Sequence, residues 1–201
     1  NYANNSLFLA GVSTILTVIS TALAAFGFAR RKARLKSIFF VLVLAMMMVP
    51  RMVTIIPTFI FFSRLRLTNT YWPWILWGAT GAPFHIFLFR QFFSSIPRDL
   101  EDAAVVDGCG GFRVFWQIFL PNSGPAIATS AIFHFRWVWG DWFTPNIFLS
   151  DDLTTLGVKL ATAYTDPQGN AVVTLTRAAI FVYILPIIVV CFIAQRNIIQ
   201  G

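Results

Sequence analysis

Two groups of residues in this chain have types and spacings suited to recognition rather than to bond breaking. The first is Asp102-Ala103-Ala104, followed after three residues by Gly108 and after nine more by Ile118-Phe119-Leu120-Pro121. It is an acidic, glycine-punctuated segment set between apolar stretches, and its chemistry is that of a charged peg with a low face. The second group is Arg51, His134, Arg136, Trp137, Trp139 and Asp141, polar and aromatic side chains inside otherwise apolar runs. Charges at such positions are costly in a bilayer and mark candidate pathways. Aromatic faces beside hydrogen-bonding groups suit sugar rings, although tryptophans near Trp139 and Trp142 serve equally well as interfacial anchors. Neither group pairs a nucleophile with a base and an orienting partner, and no G-x-x-x-x-G-K-[ST] phosphate loop occurs. Cys109 and Cys191 show neither a disulfide framework nor metal-ligand spacing. Catalysis is therefore not expected.

The elements that must position these residues are membrane helices. The 201 residues are 57% hydrophobic and only 11% charged, with a mean hydropathy of +0.72, whereas soluble domains carry roughly a quarter charged residues. About 20 helical residues cross a hydrocarbon core. Five stretches qualify, near Leu7 to Ala29, Ser37 to Phe62, Tyr71 to Phe93, Ser123 to Leu149 and Leu175 to Gln195. The expected fold is an all-α, polytopic transmembrane domain occupying residues 1–201 as one unit.

A net charge of +7 raises the question of nucleic acid, but the distribution answers it. Nine of the fifteen Lys and Arg fall in alternate loops: Arg30, Arg31, Lys32, Arg34 and Lys36, then Arg90, Arg98 and Arg113, then Arg196. Four fall in the opposite loops, Arg64, Arg66, Lys159 and Arg177. The positive-inside rule makes the first set cytoplasmic, with Asn1 outside and Gly201 inside. Residues Ser150 to Thr174, with Asp151-Asp152, Asp166-Pro167 and Gly169-Asn170, then form an outer loop able to receive a delivery protein or simply to be solvated.

Along the first span Ser13, Thr17, Thr21, Ala25 and Ala29 recur every fourth residue, a small-residue face for close helix packing. Pro50, Arg51 and Pro57 interrupt the second span and predict a kink, either a hinge or a static bend. On straight helices Arg51 and Arg136 lie about 21 and about 20 Å from the cytoplasmic starts of their spans, so they fall in one layer. His134, Trp137 and Asp141 share a helical face, and Arg136 points away from it.

The segment Ile96 to Gly108 predicts a short helix with Pro97 before it, acids in its first turn and Gly108 as its stop. Leu100, Ala103, Ala104 and Asp107 fall on one side, low enough to enter a groove on another protein. An amphipathic helix over Phe112 to Phe119, ending at Pro121, follows. A membrane-surface helix is the alternative, but such helices present bases, and this one offers Asp99, Glu101, Asp102 and Asp107.

With those residues in view, the loop resembles the cytoplasmic loop of ABC-importer permeases, E-A-A, three residues, G, nine residues, I-x-L-P, with Asp102 in place of the first Glu. Asn5-Ser6-Leu7, Pro50, Arg90-Gln91-Phe92-Phe93, Ser95-Ile96-Pro97 and Pro125 extend the likeness over almost the whole chain, to the carbohydrate branch and its six-span type I permeases. The resemblance implies a transport subunit in the cell membrane that imports a sugar or related polyol. It also implies a second homologous permease, two cytoplasmic ATPase subunits that bind ATP and Mg, and an outer solute-binding protein. In such permeases the loop helix seats in an ATPase cleft, and the acid at Asp102 meets a basic residue there. The resemblance further implies one more span before Asn1 and a short tail after Gly201. The competing reading is a secondary transporter or channel working without ATP, for which inverted repeats are the usual sign; none is apparent.

Overall fold

The computed structural model describes residues 1–162 and 172–199, so the Asp166-Pro167 and Gly169-Asn170 segment lies outside the described residues. Among the described residues every regular element is helical. The first helix, α1 (Tyr2–Arg30), is the central post. Its small-residue face is used as expected: Ser13, Thr17, Thr21 and Ala25 are buried, while Ala29 is only half-buried. Small side chains are needed there because α4 (Trp72–Thr80) presses its Gly78 against α1, where a Cβ would lie 3.1 Å from the Ser13 carbonyl. Ser20 Oγ adds a hydrogen bond of 2.7 Å to the Gly78 carbonyl. α5 (Pro83–Ser95) and α8 (Gly124–Gly140) pack on the same post.

The expected second span is two helices, α2 (Lys36–Met46) and α3 (Arg51–Arg64), bent by 100° at the break between them. Pro50 occupies the N-cap of α3, where its missing N–H costs nothing and its fixed φ starts a new helix. The interruption is thus a corner, far sharper than a proline kink within one helix. The expected third span is likewise divided, since Gly81 at φ +78 ends α4 and Pro83 opens α5. The fourth ends at Gly140 after 17 residues and turns through α9 (Phe143–Phe148). By length and composition, then, α1 and Val173–Ile193 of α11 (Val173–Ile199) qualify among the described residues as crossings, and α2 with α3 makes a third if the bent pair counts as one.

Side chains gather into two cores at opposite ends of α1. One holds Phe26, Phe89, Phe93, Phe115 and Phe119 in edge-on or tilted contacts. The other holds Leu9, Phe62, Trp74, Phe135, Trp139 and Phe148. Around the second core the polar ends meet: Asn5 Nδ2 donates to the Asp152 and Thr154 carbonyls, Ser6 Oγ accepts from Leu156 N–H at the start of α10 (Leu156–Thr162), and Tyr71 donates to Leu153. Lys159 is tied to Asp151 at 2.7 Å, and that hydrogen bond raises its pKa. The start of α1, the α3–α4 turn and residues 150–156 therefore share one pole. Arg30, the end of α5 and the acidic loop share the other.

Candidate functional site

At the second pole the acidic loop forms as its residues dictate. α6 (Arg98–Val106) starts after Pro97 with Asp99 and Glu101 in its first turn and stops before Gly108, which takes φ +79. α7 (Gly111–Val114) is shorter than expected and continues as a π turn, Phe115–Phe119, closed by Leu120 N–H donating to the Phe115 carbonyl at 2.9 Å. Pro121 then opens a 3-10 turn.

The peg is oriented differently from the sequence expectation in one respect. Ala104 is buried, at 7% exposure, because it packs into the chain's own phenylalanine core, so it does not share an outward face with Leu100, Ala103 and Asp107. Leu100, Asp102, Ala103, Asp107 and Gly108 are exposed, as are Val105 and Val106, the latter at 86%. These two valines belong to the outward surface and were hidden from a spacing argument that took the alanines as the guide. Ile118 and Leu120 pack against the core, and Pro121 is exposed.

What holds the peg is Arg30, read from the sequence as one of several cytoplasmic bases. Its side chain is 6% exposed. Nη2 donates to the Phe93 carbonyl at 2.6 Å and to the Ile96 carbonyl, capping the end of α5. Nη1 lies 3.9 Å from Glu101 on α6, and the guanidinium sits 4.8 Å from the centre of the Phe119 ring. One side chain thus joins α1, α5, α6 and the π turn. No spacing rule reveals this, since its partners lie 63 and 66 residues away.

The other candidate group is largely brought together. A cavity of about 720 Å³ is lined by Arg51, Arg136, Trp137 and Asp141, with Phe133, Trp142 and Thr144 beside them. Arg51, the first residue after the corner, places Nη2 3.5 Å from Asp141 Oδ2, and its guanidinium lies between Trp77 and Trp137 at 5.5 and 5.6 Å from their ring centres. Asp141 also accepts from Thr144 N–H at 2.9 Å. Arg136 reaches the same cavity as Asp141 although a continuous helix sets them apart, because α8 ends at Gly140 and Asp141 is extended. The straight-helix ruler fails for Arg51 at the 100° corner, but both arginines do line one cavity.

His134 lines a second cavity of about 600 Å³, with Nε2 within 3.0 and 3.2 Å of the Ser13 and Thr17 hydroxyls. Trp139 lines neither cavity. It is 1% exposed, stacks on Phe135 and donates from Nε1 to the Tyr183 carbonyl at 3.0 Å, which ties α8 to α11.

A membrane helical bundle with a projecting acidic loop at one pole and charged, aromatic cavities in its wall defines a transport subunit. Residues 13–200 match the family described as binding-protein-dependent transport system inner membrane component, and the chain belongs to that family. It is 34% identical over 203 residues to the probable ABC transporter permease protein YurM of Bacillus subtilis, covering all of this chain and 67% of that one. It is 34% identical over 198 residues to the arabinooligosaccharides transport system permease protein AraQ of Halalkalibacterium halodurans, covering 98% and 70%. Among solved structures, a bacterial ABC transporter involved in the import of the acidic polysaccharide alginate superposes with a TM-score of 0.83 at 22% identity, over 97% of this chain and 73% of that chain, a likeness of fold. The chain is therefore a permease component of a binding-protein-dependent ABC importer, an inner membrane protein rather than an enzyme.

Proposed function

We propose that this chain forms one wall of the translocation path for a sugar or related polyol and takes its drive from a cytoplasmic ATPase through the loop from about residue 94 to 122. The observation that carries this reading is the surface of α6, where Val106 is 86% and Val105 58% exposed on a helix that keeps only Ala104 and part of Glu101 for its own chain. Apolar side chains presented on a polar, acidic helix are the anchors of a helix-in-groove contact. Asp102 lies on the same exposed helix and supplies a charge to the contact.

In this reading the chain acts as one membrane domain beside a second homologous permease, with two ATPase subunits inside and a solute-binding protein outside. ATP and Mg belong to the ATPases. The sugar assignment is supported by the relatives named for oligosaccharide transport and by the tryptophan-lined, hydroxyl-bearing cavities. The five-crossing topology treats α2 with α3 and α4 with α5 as broken crossings, and the gathering of alternate loops at the two poles supports it.

Replacing both Val105 and Val106 with Asp is expected to abolish co-purification of the ATPase while the two permeases still assemble, because both side chains are exposed and neither belongs to a buried core of this chain. Asp102→Ala is expected only to weaken association and Asp102→Glu to keep it, since an exposed ion pair contributes about 0 to 1 kcal/mol. Normal ATPase recovery from the double valine variant would remove α6 as the docking element.

The orientation is tested separately. In a background without Cys109 and Cys191, an impermeant thiol reagent applied to intact cells is expected to label Asp152→Cys and not Lys32→Cys. The reverse pattern would invert the topology.

A further inference from the structure

Arg136 carries a charge that the described residues do not compensate. It lies on α8 about 20 Å along the chain from Ser123, where a cation in a bilayer is costly unless it is paired or faces a wet cavity. Among the described residues no carboxylate lies within ion-pair distance of it. Asp141, the one acid among the described lining residues of its cavity, has both oxygens in use: Oδ2 faces Arg51 at 3.5 Å, and Oδ1 accepts from Thr144 N–H at 2.9 Å. The cavity of about 720 Å³ therefore sets two arginines against one aspartate and carries a net positive charge. Its size falls within the range of about 300–1,000 Å³ usual for ligand sites. The residues that would meet a ligand are open to it. Phe133, Arg136, Trp137 and Gly140 fall at i, i+3, i+4 and i+7 on α8, so they share one helical face. All four are exposed and all four line this cavity, as does the exposed Trp142 just beyond the helix. Arg136 thus shares an accessible face with aromatic side chains on either side of it in sequence.

We propose that this cavity is a subsite for an acidic saccharide, in which Arg136 receives the carboxylate of a uronate unit while Phe133, Trp137 and Trp142 contact its ring. A guanidinium presents a planar fork of donors that matches the two oxygens of a carboxylate. The C–H faces of a pyranose ring suit the aromatic walls. Charge counting favours a carboxylate over a phosphoryl group: Arg51 is already met by Asp141, which leaves one positive charge for the ligand, whereas a phosphoryl group brings about 1.5 to 2 negative charges. This deepens the sugar-import reading and rests on it, naming the class of saccharide that the same path admits.

The test compares an acid with its own ester. In the intact importer, reconstituted with its ATPase and solute-binding protein, uptake of labelled digalacturonate, its dimethyl ester and maltose is measured. Kd of each for the solubilised permease–ATPase complex is followed by tryptophan fluorescence. The unsubstituted complex is expected to take up digalacturonate and to bind it about tenfold or more tightly than the ester, the worth of one hydrogen bond to a charged group. The ester keeps the rings and their hydroxyls and lacks only the charge, so the ratio of the two affinities reads the ion pair and not general packing. Arg136→Gln is expected to assemble and to lose that preference. Arg136→Lys, which keeps the charge without the planar fork, should fall between the two. Equal affinity for acid and ester in the unsubstituted complex, or uptake of maltose in place of digalacturonate, would overturn the acidic subsite and leave sugar import standing. A preference that survives Arg136→Gln would place the carboxylate elsewhere and overturn the assignment. Separation of the two permeases in Arg136→Gln would give Arg136 to the subunit contact and overturn it too. Uptake of none of the three probes by the unsubstituted complex would overturn the sugar reading itself, apart from anything the variants do.

Discussion

Arg30→Met is expected to abolish uptake and to release the ATPase from the complex, although Arg30 lies on α1 and belongs to no docking surface. The guanidinium is almost fully buried and satisfies the Phe93 and Ile96 carbonyls at the end of α5 while facing Glu101 on α6. Methionine keeps the volume against Phe119 but removes every donor. Two terminal carbonyls are then left without a donor, and each buried acceptor stranded in this way costs about 1–3 kcal/mol. That loss falls on the junction between α5 and the peg, so the loop should detach before the bundle unfolds. Arg30→Lys is expected to rescue little, because one ammonium cannot reproduce the planar fork that reaches two carbonyls. Glu101→Gln should cost less than about 1 kcal/mol, since its oxygen lies 3.9 Å away and the carbonyl bonds remain. Measured uptake and ATPase co-purification for the three variants check this ordering. Wild-type coupling in Arg30→Met would show that the peg is held by its phenylalanines alone.

Asp141→Asn is expected to lower uptake by more than tenfold and to weaken assembly. The substitution leaves the Arg51 guanidinium between two indoles without its counter-charge. An uncompensated arginine at a helix centre in a membrane costs about 2.5–3.5 kcal/mol on insertion scales. The cost here lies toward the lower end, since the Arg51 side chain is 39% exposed to the cavity. Combining Arg51→Met with Asp141→Asn removes both charges and is expected to restore assembly, because an ion pair is often replaceable by neutral groups of similar volume. Uptake should stay low, as the polar wall is gone. Recovery of uptake together with assembly in the double variant would make the pair a structural brace between α3 and the end of α8.

Much of this was legible from residues alone, and the reason is local. A bilayer demands long apolar runs, so composition specified a helical membrane protein before any contact was known. Pro97, the first-turn acids and Gly108 mark both ends of α6 because caps and dipoles act within one turn. The four-residue recurrence of Ser13, Thr17, Thr21 and Ala25 marked the packed face of α1, since helical periodicity is a property of the chain itself.

Tertiary structure decided what depends on distant neighbours. Pro50 announces an interruption, but the 100° angle at the corner is seen only in three dimensions, and beyond it Arg51 meets Asp141, 90 residues on. A break at Gly140 rotated Asp141 out of the register of α8 and put it in one cavity with Arg136, where a straight helix kept them apart. Ala104 and Val106 are both small apolar residues on one short helix, and only the phenylalanine core on one side of it determines that the first is buried and the second presented. Arg30 shows the same limit. Read as one of several cytoplasmic bases, it is a buried clasp, because carbonyls 63 and 66 residues away converge on it. Sequence spacing specifies elements and their ends; the pairing of a polar group is a fact about three-dimensional neighbours, and it is there that this permease acquires its clasp and its ion pair.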